Sequence, residues 1–363
     1  MKRYGHLFEQ AFSFDNLLQA YHDAARHKAG KHGCFEFTRC LASHLDALHT
    51  ALQEGSYQPR PYHTFMVYEP KQRQIFAPAF ADLVVQHAIY RVIYPIFNRT
   101  LIEQSFACRV GYGTHKAADY AQRALRASRP DSYTLKLDIR KFFYSIDRDI
   151  LRQQLERKIK DTRFVDLLMV FADHGEPVGI PIGNLLSQLY ALIYLDPLDR
   201  FVKRELEVKR YCRYVDDFIL FDLNRDQGLE FKDRIVEFLR ADLRLELSKS
   251  TLARRSRGVN FVGYRTWASK RFIRKHSLFK FARAARNGKL ESVISILGHA
   301  RRTWSLSHLI TSLKDHHHDL YRRLPKVYRR PQDCRTAPAA RLRSRRAGRA
   351  DARPSWNRAV YAV

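Results

Sequence analysis

The 363-residue sequence predicts an α+β fold in which an antiparallel sheet is backed by helices. Residues 134–139 alternate polar and apolar side chains in the manner of a strand. Residues 209–215 and 218–223 are two runs rich in aromatic and β-branched side chains, joined at a pair of aspartates, which is the pattern of a hairpin. Longer segments with apolar residues at helical spacing surround these runs, so both helices and strands are expected.

The other elements follow in chain order. Residues 1–58 alternate helical patterns with Gly and His and end at a turn-forming segment, which predicts an N-terminal helical lead-in. Apolar residues recur at helical spacing over 76–97, so a long half-buried helix is expected there, ending near Pro95. Asp147 stands where a helix N-cap belongs, ahead of the helix-forming run 148–160. The remaining predictions are a helix over 184–207 interrupted near Pro197, a helix over 227–242, a short strand over 259–264 and helical patterns from 272 onward.

The charge of the chain indicates a polyanionic partner. Lys and Arg number 65 against 37 Asp and Glu, which leaves a net charge of +28. An acidic membrane surface would call for a basic amphipathic helix or an apolar anchor, and the most apolar stretch, 185–198, is too short to span a bilayer. Nucleic acid is therefore the expected partner, and no membrane association is expected.

The cysteines and the composition of the two ends of the sequence give two further expectations. The N-terminus shows no secretory signal and the five cysteines lack a Cys-x-x-Cys spacing, so a cytoplasmic protein with reduced thiols and no closed zinc site is expected. Residues 336–363 are rich in Arg among Ala, Pro and Ser, a composition typical of a disordered tail. That tail is a candidate for RNA contact.

Three aspartates carry the chemistry. Asp138 ends one predicted strand, and Asp216 with Asp217 lies at the tip of the predicted hairpin. A tight turn by itself explains an isolated Asp-Asp pair, since Asp suits turn backbones. Here apolar strands flank the pair and a second strand-end Asp lies upstream, which favours a metal site. Carboxylates are the ligands of hard cations such as Mg²⁺, and two such ions support phosphoryl transfer.

The chain resembles the reverse transcriptases, and within them those of diversity-generating retroelements, from about Arg60 to Tyr264. The motifs stand in the order typical of the family: KQRQIFAP at 71–78, QHA at 86–88, CRVGYGTH at 108–115, LDIRKFF at 137–143, GIPIGNLLSQ at 179–188, YVDD at 214–217 and LSKS at 247–250. The subgroup rests mainly on residues 182–188, because most reverse transcriptases carry Gln-Gly and Ser-Pro at the ends of this motif.

The resemblance implies a right-hand architecture of fingers, palm and thumb. The expected divisions are a lead-in over 1–58, interleaved fingers and palm over 59–271, a helical thumb over 272–335 and the tail over 336–363. It also implies an RNA-directed DNA polymerase that uses two Mg²⁺ ions, an RNA template, a primer and dNTPs. In a diversity-generating retroelement the product is cDNA copied from a template repeat with errors opposite adenines, and a small basic oligomeric accessory protein docks on the enzyme.

Individual roles follow from the resemblance. Asp138 and Asp216 are the expected bridging metal ligands, with Asp217 in support. Phe143 is expected to place a ring under the sugar and so reject a 2′-hydroxyl, and Lys249 to protonate the leaving pyrophosphate. The other expected dNTP-binding residues are Lys71 and Arg73 at the triphosphate and Ile182, Gly183 and Gln188 beside the nascent base pair. A solvated strand, a core aromatic pair and a surface lysine are the competing structural explanations.

Two other functions stay open at the level of sequence. One is a group II intron, retron or defence reverse transcriptase with the same chemistry. The other is a catalytically weak RNA-binding scaffold, in which the basic thumb and the Arg-rich tail would be the functional parts.

Overall fold

A computed structural model describes residues 2–68 and 72–329, and the predicted tail 336–363 lies outside this range. The helices are α1 Leu7–Ala11, α2 Phe14–Ala25, α3 His32–Arg39, α4 Leu41–Glu54, α5 Phe80–Asn98, α6 Thr114–Ala127, α7 Phe142–Ser145, α8 Arg148–Glu156, α9 Thr162–Ala172, α10 Leu185–Tyr194, α11 Asp196–Arg200, α12 Arg225–Leu243, α13 Lys275–Arg286, α14 Leu290–Ala300, α15 Ser305–His316, α16 His318–Arg323 and α17 Lys326–Arg329. The strands are β1 His63–Val67, β2 Arg73–Ala77, β3 Tyr133–Ile139, β4 Tyr211–Tyr214, β5 Asp217–Leu223, β6 Leu247–Arg254, β7 Val259–Phe261, β8 Tyr264–Thr266 and β9 Arg271–Ile273.

A four-stranded antiparallel sheet of order β4-β5-β3-β6, here called the palm sheet, lies at the centre of the fold. Leu135, Leu137 and Ile139 of β3 are buried and join the main hydrophobic core. Helix α12 packs against β3 and β6 and adds Ile235 and Leu239 to that core. The predicted α+β fold, with an antiparallel sheet backed by helices, is confirmed.

The N-terminal helices pack onto the rest of the protein through α2 and α5. Arg91 of α5 forms an ion pair with Asp23 of α2 at 2.7 Å, and its Nε donates to the Asn16 side-chain oxygen at 2.9 Å. Buried residues of α2 belong to the same core as β3, so residues 1–58 share their interior with the palm sheet. No helix in the two described ranges is both long and apolar enough to cross a bilayer.

Local signals placed most element boundaries correctly, and Asp147 does cap α8. Its carboxylate accepts hydrogen bonds from the backbone N–H groups of Asp149 and Ile150 at 2.9 and 3.1 Å. The predicted 76–97 helix begins too early, because Phe76 and Ala77 lie in β2 and α5 starts at Phe80. Its predicted end at 97 lies within one residue of the observed end at Asn98, and α5 continues through Pro95. Proline removes only one helical hydrogen bond, and the buried apolar face of α5 keeps the helix continuous across that gap.

The predicted strand over 259–264 is two strands. Val262 and Gly263 both have positive φ, 42° and 87°, and turn the chain between β7 and β8. β9 adds to β8 to complete a three-stranded sheet, so the predicted boundary between 271 and 272 falls inside a strand. Helices α13 to α17 follow and bury a separate core that includes Leu297, Leu309 and Leu313.

Candidate active site

The strand register of the palm sheet brings the predicted catalytic residues together. Asp138 of β3 lies directly opposite Asp217 of β5 and, on its other side, opposite Lys249 of β6. Residues paired across antiparallel strands project from the same face of the sheet. On β3 the half-buried Lys136 and Asp138 share that face, whereas Leu137 between them points into the core. The face therefore presents a row of three charged side chains, Asp217, Asp138 and Lys249.

Asp216 joins this end of the sheet through the turn between β4 and β5. Tyr214 pairs with Asp217, which leaves Val215 and Asp216 as the two residues of the tip. The Ile139 N–H donates to the Asp216 carbonyl oxygen at 3.2 Å, so the tip is also tied to β3. Val215 has a φ of 55°, a conformation that is rare for a β-branched residue because its Cβ crowds the backbone.

Lys136 is the counter-charge of Asp217. It lies two residues before Asp138 on the same face, and its Nζ is 2.5 Å from Asp217 Oδ1. Burial raises the pKa of Asp217 to about 6 even though Lys136 acts to lower it, and the charges of Asp138 and Asp216 raise it further. Lys136 thus offsets only part of the repulsion among the carboxylates of Asp138, Asp216 and Asp217. A site with this excess of negative charge is suited to bind an additional cation.

Asp138 is held by Ser248. The Ser248 hydroxyl lies 2.5 Å from Asp138 Oδ1 and 3.1 Å from the Asp138 carbonyl oxygen. The β3–β6 register is irregular between Asp138 and Ile139, which places Ser248 beside the carboxylate. Among the described residues, no group of three or more His, Cys, Asp or Glu side chains is arranged to hold a metal ion. The carboxylates of Asp138 and Asp217 face Ser248 and Lys136 instead, although their chemistry suits a hard divalent cation.

The two phenylalanines after β3 differ in burial. Phe142 is 2 % exposed and part of the main core, whereas Phe143 is half-buried and packs against its edge. Their ring centroids lie 5.5 Å apart. The Ile180 N–H donates to the Phe143 carbonyl oxygen at 2.9 Å, so this segment is held against the loop that leads to α10. Phe143 can therefore present part of its ring outside the core.

The same loop approaches the fingers hairpin, the name used here for β1 and β2. The Phe76 N–H donates to the Ile182 carbonyl oxygen at 2.7 Å. Gly183 has a φ of 116°, and a Cβ there would lie 2.9 Å from Ile75 Cγ2 and 3.0 Å from the Phe76 carbonyl oxygen. Only glycine permits so close an approach at that φ. Arg73, half-buried on β2, is thereby held in the strand that contacts this loop.

The remaining residues predicted to bind the nucleotide are Ile182, Gln188 and Lys71. Ile182 is buried and Gln188 is half-buried in the second turn of α10. The Leu185 N–H at the start of that helix donates to the Gln86 side-chain oxygen at 3.1 Å, which anchors α10 to α5. Lys71, expected at the triphosphate, lies outside the described residues.

Several residues of the site were missed in the sequence. Lys136 had a usable signal, because a strand residue two before Asp138 must share its face. Ser248 falls within the LSKS motif at 247–250, but its contact with Asp138 left no local pattern, because that contact depends on an irregular register between β3 and β6. The buried pair formed by Arg213 and Asp199 joins a strand to a helix and likewise left no local pattern.

Comparisons with known proteins agree with the geometry. A family model described as reverse transcriptase (RNA-dependent DNA polymerase) matches residues 69–266. The chain is 25% identical over 292 residues to protein YkfC of Escherichia coli (strain K12), covering 66% of this chain and 74% of YkfC. It is 24% identical over 322 residues to the group II intron-encoded protein LtrA of Lactococcus lactis subsp. cremoris, covering 68% of this chain and 53% of LtrA. The chain thus spans about half the length of LtrA.

Among solved structures, telomerase from Candida albicans, in complex with a telomeric RNA fragment, matches with a TM-score of 0.47 and 12% identity, covering 74% of this chain and 58% of that one. The family match covers more than half of the sequence and includes the three aspartates and β3 to β7. It confirms the predicted RNA-directed DNA polymerase class and right-hand polymerase fold at the level of the family. The chain belongs to the reverse transcriptases, the family of RNA-dependent DNA polymerases.

Proposed function

We propose that this protein copies RNA into DNA by two-metal phosphoryl transfer, with Asp138 and Asp216 as bridging ligands of two Mg²⁺ ions. The observation that carries the proposal is the register of the palm sheet, which sets Asp138 opposite Asp217 and ties the Asp216 backbone to β3. Bound there, the two ions would lower the pKa of the primer 3′-hydroxyl and neutralise the triphosphate.

The side chains around the carboxylates have separate tasks. Asp138 and Asp216 would hold the cations, with the Ser248 hydroxyl giving up its contact with the Asp138 carboxylate, while Lys136 would keep its ion pair with Asp217. Because Lys136 already neutralises Asp217, this carboxylate supports the site and Asp216 takes the bridging role. Lys249, opposite Asp138 on β6, donates the proton that the departing pyrophosphate needs.

The fingers side of the site selects the nucleotide. Arg73 and Lys71 bind the triphosphate through charge-assisted hydrogen bonds. Phe143 packs under the sugar and clashes with a 2′-hydroxyl, which favours deoxynucleotides. Gly183 and Gln188, together with Ile182, contact the nascent base pair.

For the biological setting we propose a diversity-generating retroelement that makes cDNA from a template repeat RNA, with misincorporation opposite adenines. The support is the 182–188 segment, in which the apolar Ile182 stands where most reverse transcriptases carry a hydrogen-bonding Gln. A hydrogen-bonding group left without its partner penalises a misfit, and an apolar side chain lessens that penalty. A small basic oligomeric accessory protein belongs to this proposal.

A group II intron enzyme is the second candidate, and the similarity to LtrA favours it. Sequencing the DNA that the purified protein makes on a primed RNA separates the two. Substitutions concentrated at template adenines support the retroelement, and uniformly low error across all four template bases supports the intron type. In the genome, a near-duplicate repeat pair beside an accessory gene would support the retroelement independently.

The catalytic assignment is tested with the double substitution Asp216→Ala and Asp217→Ala. Incorporation of dNTPs on a primed RNA is expected to disappear, while RNA affinity stays within about twofold because phosphate contacts dominate it. Asp222→Ala is the matched control, since Asp222 lies at the far end of β5 and pairs with Arg210 and Arg129. Synthesis that survives in the double variant would overturn the site assignment.

A further inference from the structure

A fully buried ion pair lies directly behind the 214–217 turn. Arg213 on β4 and Asp199 on α11 are both 0 % exposed. Arg213 Nε lies 2.8 Å from Asp199 Oδ1 and Nη2 lies 2.6 Å from Oδ2, a two-point geometry that fixes the guanidinium plane. The Tyr211 hydroxyl donates a further hydrogen bond to Asp199 Oδ1 at 2.7 Å. Both carboxylate oxygens are thus satisfied, and the pair is rigid.

The remaining nitrogen of this guanidinium points toward the turn. Arg213 Nη1 donates to the Val215 carbonyl oxygen at 3.1 Å. Val215 is the turn residue with a φ of 55°, so the contact falls where the backbone holds an unfavourable conformation. A strained turn persists only when its surroundings hold it in place, and Arg213 supplies such a support from inside the core.

The backbone of Arg213 is fixed as well. Its N–H donates to the Gln104 carbonyl oxygen at 3.0 Å, and its own carbonyl accepts from the Phe106 N–H at 3.0 Å. β4 is therefore held by β5 on one side and by residues 104–106 on the other. The hydrogen bonds to its backbone and the ion pair with Asp199 on α11 together fix the place of the Arg213 guanidinium. The position of its hydrogen bond to the Val215 carbonyl oxygen is therefore fixed as well.

We propose that Arg213, clamped by Asp199 and Tyr211, is the positioning residue of the 214–217 turn, setting the direction in which Asp216 and Asp217 project toward Asp138. The inference rests on the proposed function for its purpose and on the buried contacts for its mechanism. Stability alone does not call for such a pair, because well-packed apolar residues replace buried ion pairs without loss in many proteins. A lysine at 213 would keep the charge but lose the planar fork that serves Asp199 and the Val215 carbonyl together.

The test compares Arg213→Lys with Arg91→Lys in the full chain. Arg91 also pairs with an aspartate, Asp23, and with a second side chain, but it lies in α5 against the N-terminal helices. Mn²⁺ binding is measured by electron paramagnetic resonance titration, and the Mg²⁺ midpoint, kcat and dNTP KM by synthesis on a primed RNA. Thermal unfolding reports the stability lost in each variant.

Arg213→Lys is expected to weaken Mn²⁺ binding and raise the Mg²⁺ midpoint by about 10-fold, in the range of losses for residues that orient metal ligands. It should lower kcat and leave the dNTP KM within about twofold, because the triphosphate contacts come from the fingers. Arg91→Lys should lower the unfolding temperature without moving the metal affinity. Equal metal affinity in the two variants at equal stability loss would overturn the inference.

Tyr211→Phe covers the case in which Arg213→Lys does not fold. It removes only the hydroxyl bond to Asp199, and Tyr190→Phe is its control because Tyr190 is equally buried and donates to the Leu168 carbonyl. Weaker Mn²⁺ binding in Tyr211→Phe alone supports the inference, and equal binding in both overturns it. Because Mn²⁺ binding is measured without catalysis, a wild type that binds Mn²⁺ but makes no DNA would overturn the proposed function separately.

Discussion

The palm sheet and the fingers hairpin hold their predicted substrate-binding residues in different ways. Asp138 lies on β3, which has a hydrogen-bonded strand on each side and a buried core behind it. Arg73 lies on β2 of a two-stranded sheet, and every residue of its partner β1 is exposed. The hairpin meets the loop before α10 through the Phe76–Ile182 hydrogen bond and the close approach at Gly183.

The difference follows from what each region must do. Metal ligands need their oxygen atoms held within a few tenths of an ångström, and a strand with two neighbours and a buried face supplies that precision. Residues that receive a nucleotide need access from solvent, which a two-stranded hairpin with little burial leaves open. Substitutions in the palm sheet should therefore alter the chemical step, and substitutions at the hairpin contact should alter nucleotide binding.

The largest expected effect tests the palm sheet. Lys249→Met should lower kcat by about 100-fold if Lys249 donates the proton to pyrophosphate, since general acids contribute about 100- to 10,000-fold. Arg254→Met, at the other exposed end of β6, is the control for loss of one positive charge on the same strand. Single-turnover rates measure the chemical step, and equal rates for the two variants would leave Lys249 as a surface lysine.

The next effect tests the hairpin contact. Gly183→Ala forces a Cβ against Ile75 and the Phe76 carbonyl at a φ of 116°, so a loss of about 1–3 kcal/mol in stability is expected. Because the hairpin is displaced, the dNTP KM should rise by about 10-fold while metal affinity is unchanged. Gly113→Ala is the control, because Gly113 has the same φ of 116° but no atom within 4 Å of an added Cβ. It therefore shows the effect of backbone strain alone, whereas Gly183→Ala adds the steric contact. A KM that changes equally in both variants would contradict the role of the contact.

Nucleotide selection gives a third, smaller effect. Phe143→Ala should reduce discrimination against ribonucleotides by about 10-fold or more, the size of a typical steric pocket contact. Phe142→Ala should instead cost about 3–5 kcal/mol of stability, because its ring is buried in the core. The ratio of kcat/KM for dNTP and rNTP measures the first effect and chemical denaturation the second. If this ratio is unchanged in Phe143→Ala, the Phe143 ring packs against the core and does not select against ribonucleotides.

The smallest effect is a shift in pH dependence. Burial raises the pKa of Asp217 to about 6 in the metal-free protein, so the proton competes with the first cation and the affinity for Mg²⁺ should fall as pH falls through about 6. At a fixed, limiting Mg²⁺ concentration, activity should fall with it. Lys136→Met removes the charge that lowers this pKa, which moves the acid limb of the rate profile to higher pH. Higher Mg²⁺ should move the limb back, because the cation competes with the proton. Lys160→Met, an exposed substitution away from the site, should not move it.

The same pKa has a consequence for stability in the absence of metal. A carboxyl group whose pKa is raised by folding destabilises the folded state once it ionises, so the contribution of Asp217 to stability should fall as pH rises from about 4 to about 6. Asp217→Asn should remove this part of the pH dependence, which thermal unfolding across that range would measure.

Local patterns in the sequence were sufficient for the parts of the site that depend on near neighbours in the chain. The apolar alternation of β3, the hairpin and the cap at Asp147 all rest on interactions within a few residues. The tip of the hairpin was predicted at Asp216 and Asp217 but lies one residue earlier, at Val215 and Asp216, because Asp217 pairs with Tyr214. Composition indicated the polyanionic partner for a similar reason, since net charge is independent of the fold. The resemblance of the motifs to those of the family then supplied the roles that are proposed for these residues.

Only the tertiary structure decided which strands pair and in what register. That β3 lies between β5 and β6 places Lys249 and Ser248 beside Asp138 and turns Lys136 toward Asp217. The clamp of Arg213 on Asp199 joins a strand to a helix across the core. Contacts between distant segments are selected by the burial of the whole core, a collective free energy that no short stretch of sequence encodes.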